Sequence, residues 1–390
     1  MRVLLSFPHA LGAPGIGWTA WNQADSLVRA GHDVHLVAGS LARPVPGAAS
    51  ITTSLAAGRV RVPHRAIGRE RAFAWHDLVA RDRLRRVDVD VVHLWPLAPG
   101  LTAHAARDAG IPAVREAPNT HTRRAWEAVA AEIDRIGMTG ADRTAHTADA
   151  RHLAMEQVEW DAVTGVLAPS EPVAESFRAE GFAPERVLRH RYGYRPGTRR
   201  AAVRTAAAKP LRAVYVGLGE PRKGLHHALD AWLASDASGT GTFTIAGRML
   251  PAYAAYLGAR LEHPSVRLVG FQSDVPAVLA ASDVLLLPTV EEGSALVTYE
   301  AQAMGTVPLV STAAGAMLDH GVHGLVHTPG DVGALTAQLD LLAADRGELA
   351  RLSASALEHA PELTWDAAAV ELVRAYETAV AQEVPDAVTV

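Results

Sequence analysis

The sequence contains no cysteine, so it offers no disulfide bond, no thiolate metal site and no cysteine nucleophile. Lysine is nearly absent too: Lys209 and Lys223 are the two examples, although lysine and arginine together number 37. Asparagine occurs only as Asn22 and Asn119. Because arginine fills nearly every other basic position, a lysine in a glycine-rich loop is more informative about function than it would be in an average sequence.

Long apolar runs are also missing. No run approaches the roughly 20 residues that a membrane-spanning helix needs, although 49% of the residues are hydrophobic. The first residues lead directly into a predicted strand and a glycine loop, without the apolar segment and cleavage site of a signal peptide. A net charge of -5 argues against broad nucleic-acid binding. We therefore expect a cytoplasmic protein, and a length of 390 residues favours two domains.

The stretch Asp283 to Gly305 has the pattern of a buried strand, a tight turn and a helix. Residues 284–287 form a short apolar run, which is typical of a strand buried on both faces of a parallel sheet. Ser294 is the expected N-cap of the helix, and apolar residues then recur at helical spacing. Two carboxylates are therefore expected near the helix N-terminus, Glu292 in the turn and Glu300 inside the helix.

This arrangement suits a particular chemistry. A helix N-terminus offers backbone N–H groups to an anion, and the small residues Gly293, Ser294 and Ala295 let a phosphate approach them. The carboxylates would repel a phosphate, but they suit the hydroxyl groups of a sugar or a ribose. These residues alone are compatible with a nucleotide-sugar site. They are equally compatible with an ordinary strand, turn and helix that carries solvated glutamates.

The amino terminus has the order strand, glycine loop, helix, strand, which opens a βαβ unit. Residues 1–6 are the expected first strand, residues 8–17 the loop and residues 18–30 the helix. The glycine spacing does not match the G-x-G-x-x-G of dinucleotide-binding folds. By itself, the loop is therefore also compatible with a turn that binds no ligand.

A second glycine loop, residues 217–224, follows the strand expected at residues 213–216 and contains Arg222 and Lys223. A cation on a glycine loop in front of a helix suits a diphosphate. Solvation in the loop is the alternative for each cation, and for Arg222 it is equally compatible with the sequence. The alanine- and arginine-rich segment 199–210 precedes this half of the chain. Since it lacks apolar periodicity, it is expected to be a linker.

Taken together, these motifs resemble the family 4 retaining glycosyltransferases. The resemblance rests on the pair Glu292 and Glu300, on residues 304–310 after the helix and on Lys223 with its following glycine. It also rests on Gly15, which precedes Gly31 and His32 by the same distance as the phosphate-loop glycine of the family precedes its own Gly-His pair. It implies an α/β protein with the GT-B fold, in which two Rossmann-like domains face each other across a cleft. The expected acceptor-side domain comprises residues 1–198, and a linker follows at residues 199–210. The nucleotide-sugar domain is expected at residues 211–364. Residues 365–390 are expected to form a carboxyl-terminal helix that packs back on the first domain.

The resemblance also implies an activity. The chain would be a retaining, hexosyltransferase-type enzyme that moves a sugar from a nucleoside diphosphate to a hydroxyl group of a small molecule or glycan, without a bound metal or other cofactor. Glu292 would contact the donor sugar, Glu300 the ribose hydroxyls and Lys223 the leaving diphosphate. The further residues expected to bind the donor are Gly15, Arg222, Gly293, Ser294, Ala295 and Leu296.

On the acceptor side, polar residues gather where a strand within residues 109–122 is expected to end. His121 matches the active-site histidine of the family if three additional residues are allowed before it, so a catalytic role is expected for it. Glu116 and Asn119 are the acceptor-side candidates. With 18 histidines in the chain, however, a lone histidine is more often incidental.

Two positions depart from the family pattern. Leu218 stands where the family has an arginine for the diphosphate, and Arg222 is the neighbouring cation that would compensate. Trp95 stands where the family has a histidine, so no role is carried over to that position. The departure at Leu218 keeps open a non-catalytic, sugar-nucleotide-binding partner subunit. A GT-B epimerase or phosphorylase is the other alternative.

The segment Arg59 to Arg86 is arginine-rich with interleaved aromatic residues, a pattern that fits weak peripheral contact with anionic lipid. Glu70, Asp77 and Asp82 interrupt the positive charge, which favours a solvated helix face instead. The expected oligomeric state is a monomer or a homodimer.

Overall fold

The computed structural model describes residues 1–57, 60–62, 68–97, 100–138, 148–197, 201, 203–205, 207 and 209–382. The chain divides into two compact units. Unit 1 comprises Met1–Pro118, Asp149–Tyr192 and the chain from Trp365 onward, and unit 2 comprises Asn119–Ala148 and Gly193–Thr364. Each unit is built on a parallel sheet with helices between its strands, as the short continuous apolar runs predict.

The strands described in unit 1 are β1 (Arg2–Leu11), β2 (Asp33–Leu41), β3 (Ser50–Thr53), β4 (Ala56–Ala57), β5 (Val60–Arg61), β6 (Val91–Leu94), β7 (Ala113–Glu116), β8 (Gly165–Ala168) and β9 (Val187–Arg189). The short strands β4 and β5 form an antiparallel pair. The others form one parallel sheet in the order β3-β2-β1-β6-β7-β8-β9.

The strands described in unit 2 are β10 (Arg212–Val216), β11 (Thr242–Ala246), β12 (Val266–Gly270), β13 (Val284–Leu287), β14 (Val307–Ser311) and β15 (Leu325–His327). They form a parallel sheet in the order β12-β11-β10-β13-β14-β15. Counted along the chain this is 3-2-1-4-5-6, the order of a Rossmann fold. All four residues of β13 are buried, which confirms the predicted strand.

The described helices are α1 (Ile16–Arg29), α2 (Arg69–Leu84), α3 (Gly100–Asp108), α4 (Thr122–Arg135), α5 (Ala150–Ala162), α6 (Glu171–Ala179), α7 (Leu225–Ala234), α8 (Pro251–Leu257), α9 (Val275–Ala280), α10 (Leu296–Ala303), α11 (Val332–Ala344), α12 (Arg346–His359) and α13 (Trp365–Ala381). Although α4 follows β7 in sequence, it belongs to unit 2, where Ile136 and Met138 just after it pack against the core. Helix α13 belongs to unit 1, where Leu372 and Tyr376 join the core around β1.

Strand β1 is longer than the sequence predicted. The glycines of residues 8–17 predict a loop there, and this range begins at Pro8, which cannot donate a hydrogen bond to a sheet ladder. Instead, the pairing of β1 with β2 shifts register between Phe7 and Ala10, and the strand continues to Leu11. The shift carries the ladder past the proline, so the loop before α1 shortens to residues 12–15.

The predicted linker is attached to unit 2 at Arg204; residues 198–200, 202, 206 and 208 lie outside the described residues. The Arg204 guanidinium is buried and donates to the carbonyl oxygens of Leu279 and Met304 at 3.2 and 3.4 Å. Its backbone N–H donates to the hydroxyl of Ser353 at 3.0 Å. At this position, the segment is therefore packed rather than solvated.

Part of the basic segment, Arg59 and residues 63–67, also lies outside the described residues. In α2, Phe73 and Asp77 are buried and Trp75 is exposed. Burial raises the pKa of Asp77, which accepts the backbone N–H groups of Leu101 and Thr102 at 2.7 and 3.0 Å. Asp77 thus belongs to the interior and not to a solvated helix face. Among the described helices, none combines the length and apolarity that crossing a bilayer requires.

Candidate functional site

Two loops predicted to bind a donor lie side by side in unit 2. Residues 217–224 follow β10 and residues 288–295 follow β13, and these two strands are neighbours in the sheet. The strand order reverses between them. In doubly wound sheets, ligands bind at the carboxyl ends of the strands at such a reversal point.

Gly224 allows the two loops to touch. It has a left-handed backbone with a φ of 67°, and a β-carbon at this position would lie 2.0 Å from the carbonyl oxygen of Pro288. On the same side, the carbonyl oxygen of Arg222 accepts the backbone N–H of Val290 at 2.9 Å and the hydroxyl of Thr289 at 2.8 Å. Only glycine permits this approach, which fixes the cationic end of the first loop beside the second.

Lys223 forms an ion pair with Glu292 across the two loops. The lysine side chain is 17% exposed and that of Glu292 12%. Burial lowers the pKa of the Lys223 ammonium to about 7, and the neighbouring Arg222 cation acts in the same direction. The predicted cation and the predicted sugar-binding carboxylate are therefore in direct contact.

Arg222 is buried and bonded to carboxylates rather than solvated. Its Nε donates to Glu220 at 3.1 Å, and its Nη1 donates to the carboxylates of Glu291 and Glu292 at 3.2 and 3.4 Å. The guanidinium thus offsets negative charge that would repel a diphosphate. Its predicted direct contact with the donor stays a prediction.

Glu291 is a residue that sequence reasoning missed. It is 2% exposed, and its Oε1 accepts the backbone N–H and the hydroxyl of Thr120 at 3.1 and 2.7 Å. Its other oxygen accepts from Arg222. Glu291 therefore ties the segment that carries Asn119 and His121 to the second loop. The only sequence signal was a pair of adjacent glutamates in the turn, because Thr120 lies 171 residues away.

The glutamates of the central stretch are buried or half-buried. Glu291 and Glu292 are buried. Glu300, the fifth residue of α10, is half-buried, and burial raises its pKa to about 7. A carboxylate held in such surroundings gains from a ligand hydroxyl that donates to it.

The predicted N-cap is wrong by one residue, because Ala295 occupies that position. The Ser294 hydroxyl donates to the carbonyl oxygen of Gly315 at 3.1 Å and shares a hydrogen bond with the Tyr299 hydroxyl at 2.7 Å. These bonds direct it away from the helix amides that a cap would accept from. The backbone N–H of Ala295 donates to the carbonyl oxygen of Ala314 at 3.1 Å.

The remaining donor candidates occupy loop and helix-start positions. Gly293 is buried in the turn, and Leu296 opens α10. In unit 1, Gly15 is the residue before α1 and has a φ of 84°; a β-carbon there would meet no atom within 4 Å. Contacts of these three residues with a donor stay predictions.

His121 and Asn119 lie in unit 2, before α4. His121 is the residue from which the helix starts and is buried, whereas Asn119 is half-buried in a bend. The carbonyl oxygen of His121 accepts the backbone N–H of Ala125 at 2.9 Å, the first bond of the helix. The catalytic and acceptor-side roles of these residues stay predictions.

Glu116 is fully buried at the end of β7 in unit 1. Its oxygens accept from Gln23, His190 and Tyr192, each at 2.9 Å, and His93 lies 3.2 Å away. Burial would raise the pKa of Glu116, but His190 and His93 outweigh it and hold the pKa well below its usual range. This closed network favours a structural role over the predicted contact with an acceptor.

Comparison with known proteins identifies two sequence families. Residues 14–189 match the family described as Glycosyltransferase Family 4, and residues 210–345 match the family described as Glycosyl transferases group 1. The two matches together span most of the chain, with one on each side of the predicted linker.

Curated relatives match over part of the sequence. An MMP alpha-(1->4)-mannosyltransferase of Mycolicibacterium hassiacum is 36% identical over 114 residues, which are 28% of each chain. A D-inositol 3-phosphate glycosyltransferase of Thermobispora bispora is 30% identical over 210 residues, 50% of this chain and 47% of that protein. A protein of the same name from Streptomyces bingchenggensis is 29% identical over 59% of this chain and 56% of its own. The chain thus spans between 28% and 56% of the length of these relatives.

Solved structures share the fold over nearly the whole chain. The crystal structure of Anabaena Alr3699/HepE in complex with UDP and glucose has a TM-score of 0.66 at 16% identity, covering 97% of this chain and 100% of that one. The apo form of the lipopolysaccharide outer core galactosyltransferase WaaB has a TM-score of 0.70 at 15% identity, covering 97% and 99%. The two parallel-sheet units have the GT-B fold. With a family match in each half, this chain belongs to the family 4 glycosyltransferases.

Proposed function

We propose that the chain transfers a sugar of the hexose class from a nucleoside diphosphate to a hydroxyl acceptor, with retention of the anomeric configuration. The observation that carries the proposal is the contact of Lys223 with Glu292 at the strand-reversal point of unit 2, with Glu300 in the helix that follows. A cation and carboxylates at this point suit a ligand that has both phosphates and hydroxyls. The complex of the Anabaena protein with UDP and glucose supports this donor class.

In the proposed donor complex, the ion pair between Lys223 and Glu292 is exchanged for two ligand contacts. The Lys223 ammonium changes partner from Glu292 to the diphosphate, which the N-terminus of α10 also binds. Glu292 then accepts a hydroxyl of the sugar. Arg222 stays beside Glu292 and compensates its charge. Glu300 accepts the ribose hydroxyls.

The proposed reaction requires no metal at the diphosphate. The acceptor oxygen attacks the anomeric carbon from the face that the diphosphate leaves. The new carbon–oxygen bond forms as the bond to the diphosphate breaks, and the acceptor proton passes to the departing phosphate oxygen. Lys223 stabilises the charge that develops on the diphosphate, the largest electrostatic demand of the step.

A second candidate is a sugar-nucleotide-binding subunit without turnover. Leu218 favours it, because this exposed, uncharged side chain stands where the family has a diphosphate-binding arginine. An epimerase or phosphorylase is a third possibility, in which turnover needs no organic acceptor. A cytoplasmic location and a monomeric or homodimeric state remain predictions.

The test is a transfer assay with UDP-, GDP- and ADP-sugars and a panel of hydroxyl acceptors. Wild type is compared with Glu292→Gln and with Glu262→Gln, a matched control at an exposed glutamate of unit 2. We expect acceptor-dependent release of nucleoside diphosphate, retained configuration in the product by NMR, and a loss of about 100-fold or more in kcat for Glu292→Gln. Binding without turnover in wild type would instead support the subunit. Turnover of a nucleotide sugar with inorganic phosphate as the sole acceptor would support a phosphorylase.

A further inference from the structure

A cluster of potential metal ligands lies in unit 2, outside the donor loops. Glu132 is in the last turn of α4, and His226 and His227 are in the first turn of α7. The Nε2 atoms of the two histidines lie 2.5 and 2.9 Å from the same Glu132 oxygen, Oε1, and all three residues are buried. Two imidazole nitrogens and a carboxylate oxygen form a ligand set typical of Zn²⁺.

Arg135 places a cationic nitrogen at the same point. Its Nη2 lies 2.6 Å from Glu132 Oε1, 2.8 Å from His226 Nε2 and 3.3 Å from His227 Nε2. An imidazole that donates its Nε2 proton to Glu132 cannot also accept a proton from Arg135. The short contacts therefore cannot all be favourable hydrogen bonds at once. A metal ion would satisfy all three ligand atoms through their lone pairs.

The surroundings also fit a metal site. The hydroxyl of Tyr253 lies 2.5 Å from His226 Nδ1 and accepts the backbone N–H of His226 at 2.9 Å. A proton on Nδ1 that donates to Tyr253 leaves the Nε2 lone pair facing Glu132, and such outer contacts orient metal-binding histidines. The Arg135 side chain is 52% exposed, so it has room to leave toward solvent.

We propose that Glu132, His226 and His227 bind a divalent transition metal of the Zn²⁺ class, with Arg135 displaced when the metal enters. Three protein ligands leave one tetrahedral position for water. The metal takes no part in sugar transfer. It links α4, which starts at the His121 loop, to α7, which starts after the Lys223 loop. No metal is expected from the sequence. Two adjacent histidines are the only local sign of this cluster, because Glu132 lies 94 residues before His226.

The test is a titration of chelator-treated protein, purified without a histidine tag, with Co²⁺ and Zn²⁺. We expect about one equivalent per chain and the intense visible bands of tetrahedral Co²⁺. Glu132→Gln and His227→Gln should each weaken binding by about tenfold or more. Arg135→Met should tighten it, because the competing cation is removed. His323→Gln is the matched control, since His323 stacks on His359 elsewhere in unit 2.

Two outcomes would overturn the proposal. One is a wild type that binds no more Co²⁺ than the Glu132→Gln, His227→Gln double variant. The other is Co²⁺ binding that is tight in Arg135→Met and absent in wild type. In that case the arginine, and not a metal ion, would be the cation that the wild-type cluster holds. Thermal unfolding with EDTA checks that each variant is folded. The comparison of wild type with Arg135→Met retains all three ligands, so it remains informative if a ligand variant fails to fold.

Discussion

The ammonium of Lys223 contacts the carboxylate of Glu292, joining the loops that follow β10 and β13. In surroundings with little solvent, each charge would be costly without a partner. The contact therefore stabilises both groups in the protein without ligand. A nucleotide sugar can replace both partners at once, since its phosphates suit the lysine and its hydroxyls suit the glutamate.

We expect the affinity for a nucleoside diphosphate to fall as pH rises above about 7. Without ligand, the pKa of Lys223 is about 7, so the ammonium loses its proton in this range. A bound diphosphate favours the ammonium and raises that pKa, so binding takes up a proton. Between about pH 7.5 and 9, the dissociation constant should rise by up to about tenfold per pH unit. Calorimetry in buffers of different ionisation enthalpy measures both affinity and proton uptake. Lys223→Arg should lose this fall in affinity, although Glu300, with a pKa of about 7, still titrates in the same range. A wild-type affinity that does not fall would contradict this account.

Glu300→Gln is expected to stabilise the protein at pH 8. The pKa of Glu300 is raised to about 7 in the folded state, above the ordinary value of 4.5. The folded state therefore favours the protonated acid, and stability is lost as pH rises from 4.5 through 7. The amide removes this penalty and should raise the free energy of unfolding by about 2–3 kcal/mol at pH 8. Urea denaturation at pH 8 and about pH 4.5 measures the free energy of unfolding of both proteins. An equal increase at both pH values would exclude the ionisation of Glu300 as the cause.

Gly224→Ala should destabilise the protein far more than another glycine substitution with similar backbone geometry. The left-handed backbone costs alanine about 1–2 kcal/mol. The clash with the Pro288 carbonyl adds about 1–3 kcal/mol. Gly321→Ala is the matched control, because Gly321 has a φ of 74° and no atom within 4 Å of the added carbon. Similar unfolding free energies for the two variants would show that the loops separate easily.

Arg222→Met should lower the free energy of unfolding by about 3–5 kcal/mol, because buried carboxylates lose their shared cation. Adding Glu291→Gln should recover part of this loss, since one of those charges is then removed. Denaturation of the two single variants and the double variant yields the coupling free energy between the residues. Additive effects would mean that the contact at 3.2 Å contributes no net stability.

Local sequence pattern was sufficient for the elements that carry the site. The apolar run at β13 predicts a buried strand, because a strand buried on both faces is apolar at every residue. The spacing of apolar residues after it predicts α10, because a helix buried on one face is apolar only at every third or fourth residue. The glycine before α7 marked the loop with Lys223. The GT-B fold came from the family resemblance, because strand order has no periodicity of its own.

Partners distant in sequence could not be predicted. Glu291 was missed because Thr120 comes from another part of the chain. Arg222 was equally compatible with solvation until its carboxylate partners were placed around it. Ser294 failed as a cap because its hydroxyl bonds to Tyr299, one helical turn later, and to the Gly315 carbonyl. The partners of these three side chains depend on tertiary contacts, which local composition does not encode.

The most direct test of the donor site is a thermal-shift panel of UDP, GDP and ADP, with and without EDTA. It compares wild type with Lys223→Ala and with Lys209→Ala, a control at the only other lysine, which is exposed. A ligand at about 100 times its dissociation constant stabilises the folded state by about 2.7 kcal/mol. We predict that one nucleoside diphosphate raises the melting temperature of wild type and Lys209→Ala equally. EDTA should leave this shift unchanged, and Lys223→Ala should abolish it. No shift in wild type, or an equal shift in Lys223→Ala, would contradict a donor site built on Lys223.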